Sequence, residues 1–149
     1  PNADPGGRII NEMIEKYVIK HPLSTVAFTS LGQLRYLSAI QYMDGVVGNS
    51  SSGLLEVPSF KVGTVNIGDR QKGRIKAESV IDCEPSVESI ATALDKILDK
   101  PFRVILRAVS NPYGEGGTAE KIVKVLTKCS LEGILKKRFY DQNIVSEVL

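Results

Sequence analysis

One stretch constrains the fold of this chain more than any other: residues 44–74, DGVVGNSSSGLLEVPSFKVGTVNIGDRQKGR. It holds two short apolar runs, Val46-Val47 and residues 62–67. Each runs into a polar turn, Gly48-Asn49-Ser50-Ser51-Ser52-Gly53 in the first case and Gly68-Asp69-Arg70 in the second. Short apolar runs bounded by turn residues read as buried strands. A short helical segment, Leu54-Leu55-Glu56-Val57, is expected between them, stopped by Pro58. In an open parallel sheet, ligands bind outside the carboxyl ends of the strands. Both polar loops are therefore expected at one sheet edge, and function is placed there.

The first loop has chemistry of its own. A helix N-terminus presents unpaired N–H groups and partial positive charge, which suits phosphate. Ser50, Ser51 and Ser52 add hydroxyl donors, and Gly48 and Gly53 let a ligand approach the backbone. Glu56 follows about one turn later, where a carboxylate suits the two hydroxyls of a ribose better than it suits phosphate. That set describes a nucleotide diphosphate site. The same residues also describe an ordinary serine-rich helix cap with a solvated Glu, and on the residues alone both readings stand.

The rest of the chain alternates in the same way. Apolar residues at Ile9, Ile10, Met13, Ile14, Tyr17 and Val18 make a helical stripe, with Asp4 and Pro5 as candidate cap and first turn. It ends near His21-Pro22. Thr25-Val26-Ala27-Phe28 reads as a strand, 33–42 as a helix, 45–48 and 61–67 as the two strands already placed, and 79–82 as a further strand. Ser86 caps a helix from Val87 through Leu98 to Lys100-Pro101, and 102–109 is expected to be a short helix. Asn111-Pro112-Tyr113-Gly114-Glu115-Gly116-Gly117 is a turn-rich loop without the spacing of a dinucleotide fingerprint, and no Walker A motif occurs. Helices are expected over 118–128 and 131–140, with Lys136-Lys137-Arg138 on a solvated face. Strand–helix alternation of this kind gives an α/β fold with a Rossmann-like parallel sheet between helix layers.

Composition narrows the function. The 149 residues suit a single domain, 1–149. At 42% hydrophobic and 24% charged they read as a soluble globular protein, expected in the cytoplasm. A net charge of +2 is too small to point to nucleic acid or a membrane surface, and no apolar run is long enough to span a bilayer. Cys83 and Cys129 lack the spacing of a zinc site or a disulfide framework and read as reduced thiols. No metal and no cofactor is expected. His21, the only histidine, reads as a surface residue at a helix exit.

The motif GNSSSGLLEVPSFKVGTVNIGDRQKGR strongly resembles the hydrolysing UDP-N-acetylglucosamine 2-epimerases of sialic acid and legionaminic acid biosynthesis. Pro1-Asn2-Ala3-Asp4 with Gly6-Gly7-Arg8, Ala77-Glu78-Ser79-Val80-Ile81-Asp82, Asn111-Pro112-Tyr113-Gly114 with Gly116-Gly117, and Phe139-Tyr140-Asp141 fit the same pattern, so the resemblance covers nearly the whole chain. It implies a two-lobed, glycosyltransferase-B-like fold of which this chain is most of the UDP-binding C-terminal lobe. By that likeness Ser50, Ser51, Ser52 and Gly53 lie at the UDP phosphates and Glu56 at the ribose. Asp69, Arg70 and Arg74 face the same pocket.

The implied reaction eliminates UDP from UDP-N-acetylglucosamine or a related UDP-diacetamido sugar. Water then adds, giving N-acetylmannosamine or its analogue. The family's catalytic histidine belongs to a segment expected before Pro1, and its acid/base carboxylates mostly to an N-terminal lobe. No catalytic residue is therefore assigned here, and the isolated chain is expected to be inactive. The expected partners are UDP or a UDP-sugar, the missing N-terminal lobe, against which 131–149 would pack, and further copies of the chain as a homo-oligomer. Two other readings remain: a nucleotide-sugar-binding lobe with no catalysis of its own, and the C-terminal lobe of a UDP-sugar glycosyltransferase. The GDRQKGR motif argues against the second.

Overall fold

Side-chain alternation along one strand sets the layers of this molecule. The computed structural model describes residues 6–136 and residue 139. The chain divides into two units, Pro1–Gly114 and Glu115–Leu149. In the first unit, β2 (Gly63–Ile67) lies between β1 (Gly45–Gly48) and β3 (Val80–Cys83), parallel to both. Val65 points to one face and packs with Ala93 and Ile97 of α4 (Val87–Leu98) and Phe102 and Leu106 of α5 (Lys100–Ala108). Thr64 points to the other face, and its hydroxyl donates to the Gly53 carbonyl at 2.9 Å. On that side Ile40 of α2 (Gly32–Ile40) packs with Val57 and Val62, flanked by Tyr36, Leu37, Val46 and Phe60. The α/β architecture with a parallel sheet is as the sequence implied.

Two glycines set how closely α4 approaches the sheet. Gly45 and Gly63 are register partners in β1 and β2. A Cβ on Gly63 would lie 2.5 Å from Ile97 Cγ1, and one on Gly45 2.7 Å from Ile97 Cδ1. Ile97 thus fills the space that two side chains would take. At the start of α4 the Ser86 hydroxyl accepts from the Ser89 N–H at 3.2 Å, the predicted cap, with Glu88 in the first turn. The 102–109 segment is helical as expected: α5 places Phe102 and Leu106 four residues apart on its buried face.

Some expectations need correction. Thr25-Val26-Ala27-Phe28 is not a strand. Thr25 instead closes a turn, giving both its N–H (3.0 Å) and its hydroxyl (2.7 Å) to the His21 carbonyl. Among the described residues β1 pairs only with β2, and β-branched composition alone cannot satisfy a strand's backbone. Pro58 does not stop a helix over 54–57. A single turn, α3 (Ser52–Leu55), is closed by Glu56 as C-cap, and Pro58 is the second residue of a 3₁₀ turn, Val57–Phe60. Proline is tolerated there because first-turn N–H groups have no helical partner. Lys61 then takes a left-handed conformation (φ 58°), so β2 begins at Gly63 rather than at Lys61.

The helix α1 (Gly7–Lys20) forms as predicted, but none of its residues is buried. Its cap is Gly6; Asp4 and Pro5 lie outside the described residues. In the second unit, α6 (Thr118–Lys128) starts after Gly117, with Ile122, Val123, Val125 and Leu126 exposed. The described part of the predicted 131–140 helix is a run of turns, because Gly133 at φ 71° breaks the helical path. Lys137, Arg138 and Tyr140 lie outside the described residues. No helix among the described residues is long and apolar enough to cross a membrane.

Candidate functional site

The three strands end together at one edge, and the loops after β1 and β2 meet there. The first loop leaves β1 at Gly48, whose φ of 149° is open to glycine because it lacks a Cβ. The carbonyls of Ser51 and Ser52 accept from Leu55 and Glu56 N–H groups at 2.9 and 3.0 Å, which closes α3. Ser51 occupies the N-cap position, but its hydroxyl makes no capping bond. The Ser50 hydroxyl accepts the Ser52 N–H at 3.4 Å, and the Ser52 hydroxyl lies 2.8 Å from that of Tyr36. With one helical turn, aligned peptide dipoles contribute little, so hydroxyls and local N–H groups supply most of the donor capacity. Gly53 differs from the expectation. It is buried, and a Cβ there would lie 2.6 Å from Thr64 Cγ2, so this glycine lets α3 sit on β2 and does not open the backbone to a ligand.

Glu56 stands at the junction between α3 and the 3₁₀ turn, half-buried. Its carboxylate belongs to neither of the ion pairs found among the described residues, Lys76–Asp82 and Arg103–Asp44. It lines an open cleft of about 600 Å³ together with Phe28, Ser30, Gly32, Gln33 and Tyr36. Apart from Glu56 none of these carried a site expectation, because the cleft joins segments at least twenty residues apart that share no local motif.

The second loop folds back on the first. Gly68 continues the ladder by donating to the Cys83 carbonyl at 2.8 Å, and Lys72 N–H closes a turn on the Asp69 carbonyl at 2.8 Å. Gln71 is buried, and its side-chain amide donates to the Asn49 carbonyl at 2.8 Å. Arg70 Nη1 reaches the same carbonyl at 3.4 Å. The structure therefore brings Arg70 to the serine loop. Asp69 and Arg74 are exposed on the same loop. Asp69 lines a separate cleft of about 400 Å³ with Lys72, Lys76, Asp82 and Glu84. Gln71 was missed because a Gln between Arg and Lys reads as solvated until the first loop is seen above it.

Behind this loop lies a small polar network. Asp82 accepts from Asn66 Nδ2 at 2.7 Å and from Lys76 at 2.6 Å. Partial burial opposes ionisation of Asp82, but the hydrogen bonds from Lys76 and Asn66 and the Lys76 charge outweigh it and hold the carboxyl below its ordinary range. Burial pushes the Cys83 thiol up, and the charges of Asp82 and Glu84 add to this. Neither cysteine is bonded to another. His21 is an exposed C-cap whose ring lies 4.4 Å from that of Tyr17, in keeping with a helix-exit role. Among the described residues no group of three His, Cys, Asp or Glu side chains is placed to hold a metal ion.

Fold and site together define an α/β protein of the parallel-sheet class whose polar loops are collected at the carboxyl edge of the strands. Residues 1–127 match the model of the UDP-N-acetylglucosamine 2-epimerase family, and the chain belongs to that family. It is 40% identical over 141 residues to a GDP/UDP-N,N'-diacetylbacillosamine 2-epimerase (hydrolyzing) of Campylobacter jejuni, covering 94% of this chain and 36% of the relative. It is 38% identical over 143 residues to the polysialic acid biosynthesis protein P7 of Escherichia coli, with the same shares covered. It is 36% identical over 138 residues to a UDP-N,N'-diacetylbacillosamine 2-epimerase (hydrolyzing) of Legionella pneumophila, covering 92% of this chain and 35% of the relative. The chain thus spans little more than a third of the length of these relatives.

Proposed function

We propose that this chain is the UDP-binding part of a hydrolysing UDP-sugar 2-epimerase, its substrate UDP-N-acetylglucosamine or a UDP-diacetamido sugar. The observation that carries the proposal is the joining of the two family motifs at Asn49, whose carbonyl accepts from both Arg70 and Gln71, together with the Glu56 carboxylate, which lines an open cleft and enters no ion pair among the described residues. A serine turn with a cation beside it suits a diphosphate, and a carboxylate opening on an aromatic-lined cleft suits a nucleoside. In this reading Ser50, Ser51 and Ser52 face the phosphates, and Arg70 and Arg74 offset the charge of the leaving UDP. Glu56 takes the ribose hydroxyls in the cleft that Phe28 and Gln33 line.

The reaction breaks the bond between the anomeric carbon and the UDP oxygen and removes the proton at C2. Water then adds to the resulting double bond, placing hydroxyl at C1 and a proton on the opposite face of C2. The acid and base groups beside C2 and C3 come from outside this chain. The test is product analysis with the full-length protein. Free N-acetylmannosamine or its diacetamido analogue, together with UDP, supports the proposal. Binding without turnover, or sugar transfer to an acceptor, overturns it in favour of a binding lobe or a glycosyltransferase.

A further inference from the structure

Asn111 and Tyr113 belong to a turn that has no role in the site described so far. Asn111 is almost fully buried (8% exposed), 56 residues in sequence from Leu55, yet its amide nitrogen donates to the Leu55 carbonyl at 2.8 Å. The same nitrogen donates to Ser59 Oγ at 2.7 Å, and Oδ1 accepts the Tyr113 N–H at 2.9 Å. Every hydrogen-bonding position of the side-chain nitrogen is thereby used. The Tyr113 hydroxyl donates to the Ile75 carbonyl at 2.9 Å, one residue after Arg74.

The Leu55 carbonyl needs this partner for a reason written in the sequence. In a 3₁₀ turn it would accept from the residue three positions on, which is Pro58, and proline has no N–H. The next candidate, the Ser59 N–H, is taken by the Glu56 carbonyl at 3.1 Å. Leu55 and Ser59 bracket Glu56, so the Asn111 amide closes the gap at the point where the carboxylate is presented.

We infer that Asn111 and Tyr113 are positioning residues for the nucleotide site, each holding one half of it. Asn111 fixes the 55–59 junction and with it the Glu56 carboxylate. Tyr113 fixes the end of the 68–75 loop that carries Arg70 and Arg74. The inference rests on the nucleotide reading above and deepens it: the two halves are held by one turn, and each half loses a different part of the ligand.

The experiment titrates the chain with UDP, uridine and 2′,3′-dideoxy-UDP, for wild type, Asn111→Ala, Tyr113→Phe and the double variant Pro58→Ala/Asn111→Ala. Asn111→Ala weakens UDP and uridine by the same factor, about tenfold for one lost charge-assisted contact, and leaves the dideoxy ligand unchanged. Tyr113→Phe weakens UDP and the dideoxy ligand and spares uridine. Pro58→Ala returns an N–H three residues after Leu55 and recovers part of the uridine affinity lost in Asn111→Ala. If Asn111→Ala does not fold, Tyr113→Phe still tests the inference through its own contrast, UDP and the dideoxy ligand weakened and uridine spared. Wild type that binds UDP and uridine, with variants that weaken all ligands alike or none, overturns the positioning role alone. Wild type that binds neither ligand at millimolar concentration overturns the nucleotide reading and this inference with it.

Discussion

Gln71 donates its side-chain amide to the backbone carbonyl of Asn49 at 2.8 Å, joining two loops 22 residues apart in sequence. Gln71 is 2% exposed, so its amide makes this bond away from water. A glutamate there would bury a carboxylate against the Asn49 carbonyl, with only the exposed Arg70 guanidinium near it to offset the charge. Gln71→Glu is expected to destabilise the fold by about 3 kcal/mol or more, and Gln71→Met by less, because it removes the donor without burying a charge. Melting of the two variants checks the order. Melting temperatures equal to that of wild type would show that the Asn49 contact does not hold the loops.

Glu56→Gln is expected to weaken UDP binding at least about tenfold, since a carboxylate accepts both ribose hydroxyls and an amide has one acceptor. Binding of 2′,3′-dideoxy-UDP should already be weak and should hardly change. Replacing Ser50 or Ser52 with Ala should affect UDP more than uridine. Calorimetric titration of the three ligands checks this. An equal loss for all of them removes the ribose assignment.

Gly63→Ala drives a methyl group to within 2.5 Å of Ile97 Cγ1. Overpacking of this kind costs about 1–3 kcal/mol. Ile97→Val in the same chain removes Cδ1, which would lie 2.8 Å from the new methyl, and should recover part of the loss. Urea midpoints of the single and double variants measure it.

The Lys76–Asp82 pair sets an acid-side dependence. The Asp82 carboxyl is held below its ordinary range in the folded chain. Its contribution to stability is therefore present above the ordinary aspartate pKa, about 3.9, and is lost as pH falls through the lowered folded value. Lys76→Met removes the Lys76 hydrogen bond and charge and leaves the Asn66 hydrogen bond, so wild type and variant should differ more at pH 5 than near pH 2. The difference is small, because the Asp82 side chain is 53% exposed and screened by water. Chemical denaturation at the two pH values tests the sign.

Incubated with UDP-N-acetylglucosamine, the chain should release no UDP above background. The polar groups at the strand edge suit binding, and no histidine lies among them; His21 caps α1. Turnover of about 1 per second or faster, an ordinary enzyme rate, would contradict this.

Local signals carried much of the architecture. Val46-Val47 and residues 62–67 were legible as strands because turn residues bound them, and Ser86 was legible as a cap because the Ser89 N–H lies within its own reach. Thr25-Val26-Ala27-Phe28 misled because β-branched composition speaks for a strand only when a neighbour supplies the ladder. Gly53 misled in a different way: its small size serves Thr64 beneath it. Gln71 and Asn111 were legible as parts of the two motifs, but their partners were not, since nothing near them in sequence names those partners.

The sequence by itself determined the parallel α/β order, the serine turn, the basic loop and the carboxylate at Glu56, because these follow from short-range periodicity, turn chemistry and motif. Only the tertiary structure decided which glycine admits Ile97, which carbonyl Gln71 takes, and that Asn111 supplies the hydrogen bond Pro58 denies to Leu55. Those are contacts between segments 22 to 56 residues apart. Their partners are chosen by where buried backbone groups would otherwise go unpaired, and that is settled when the layers pack.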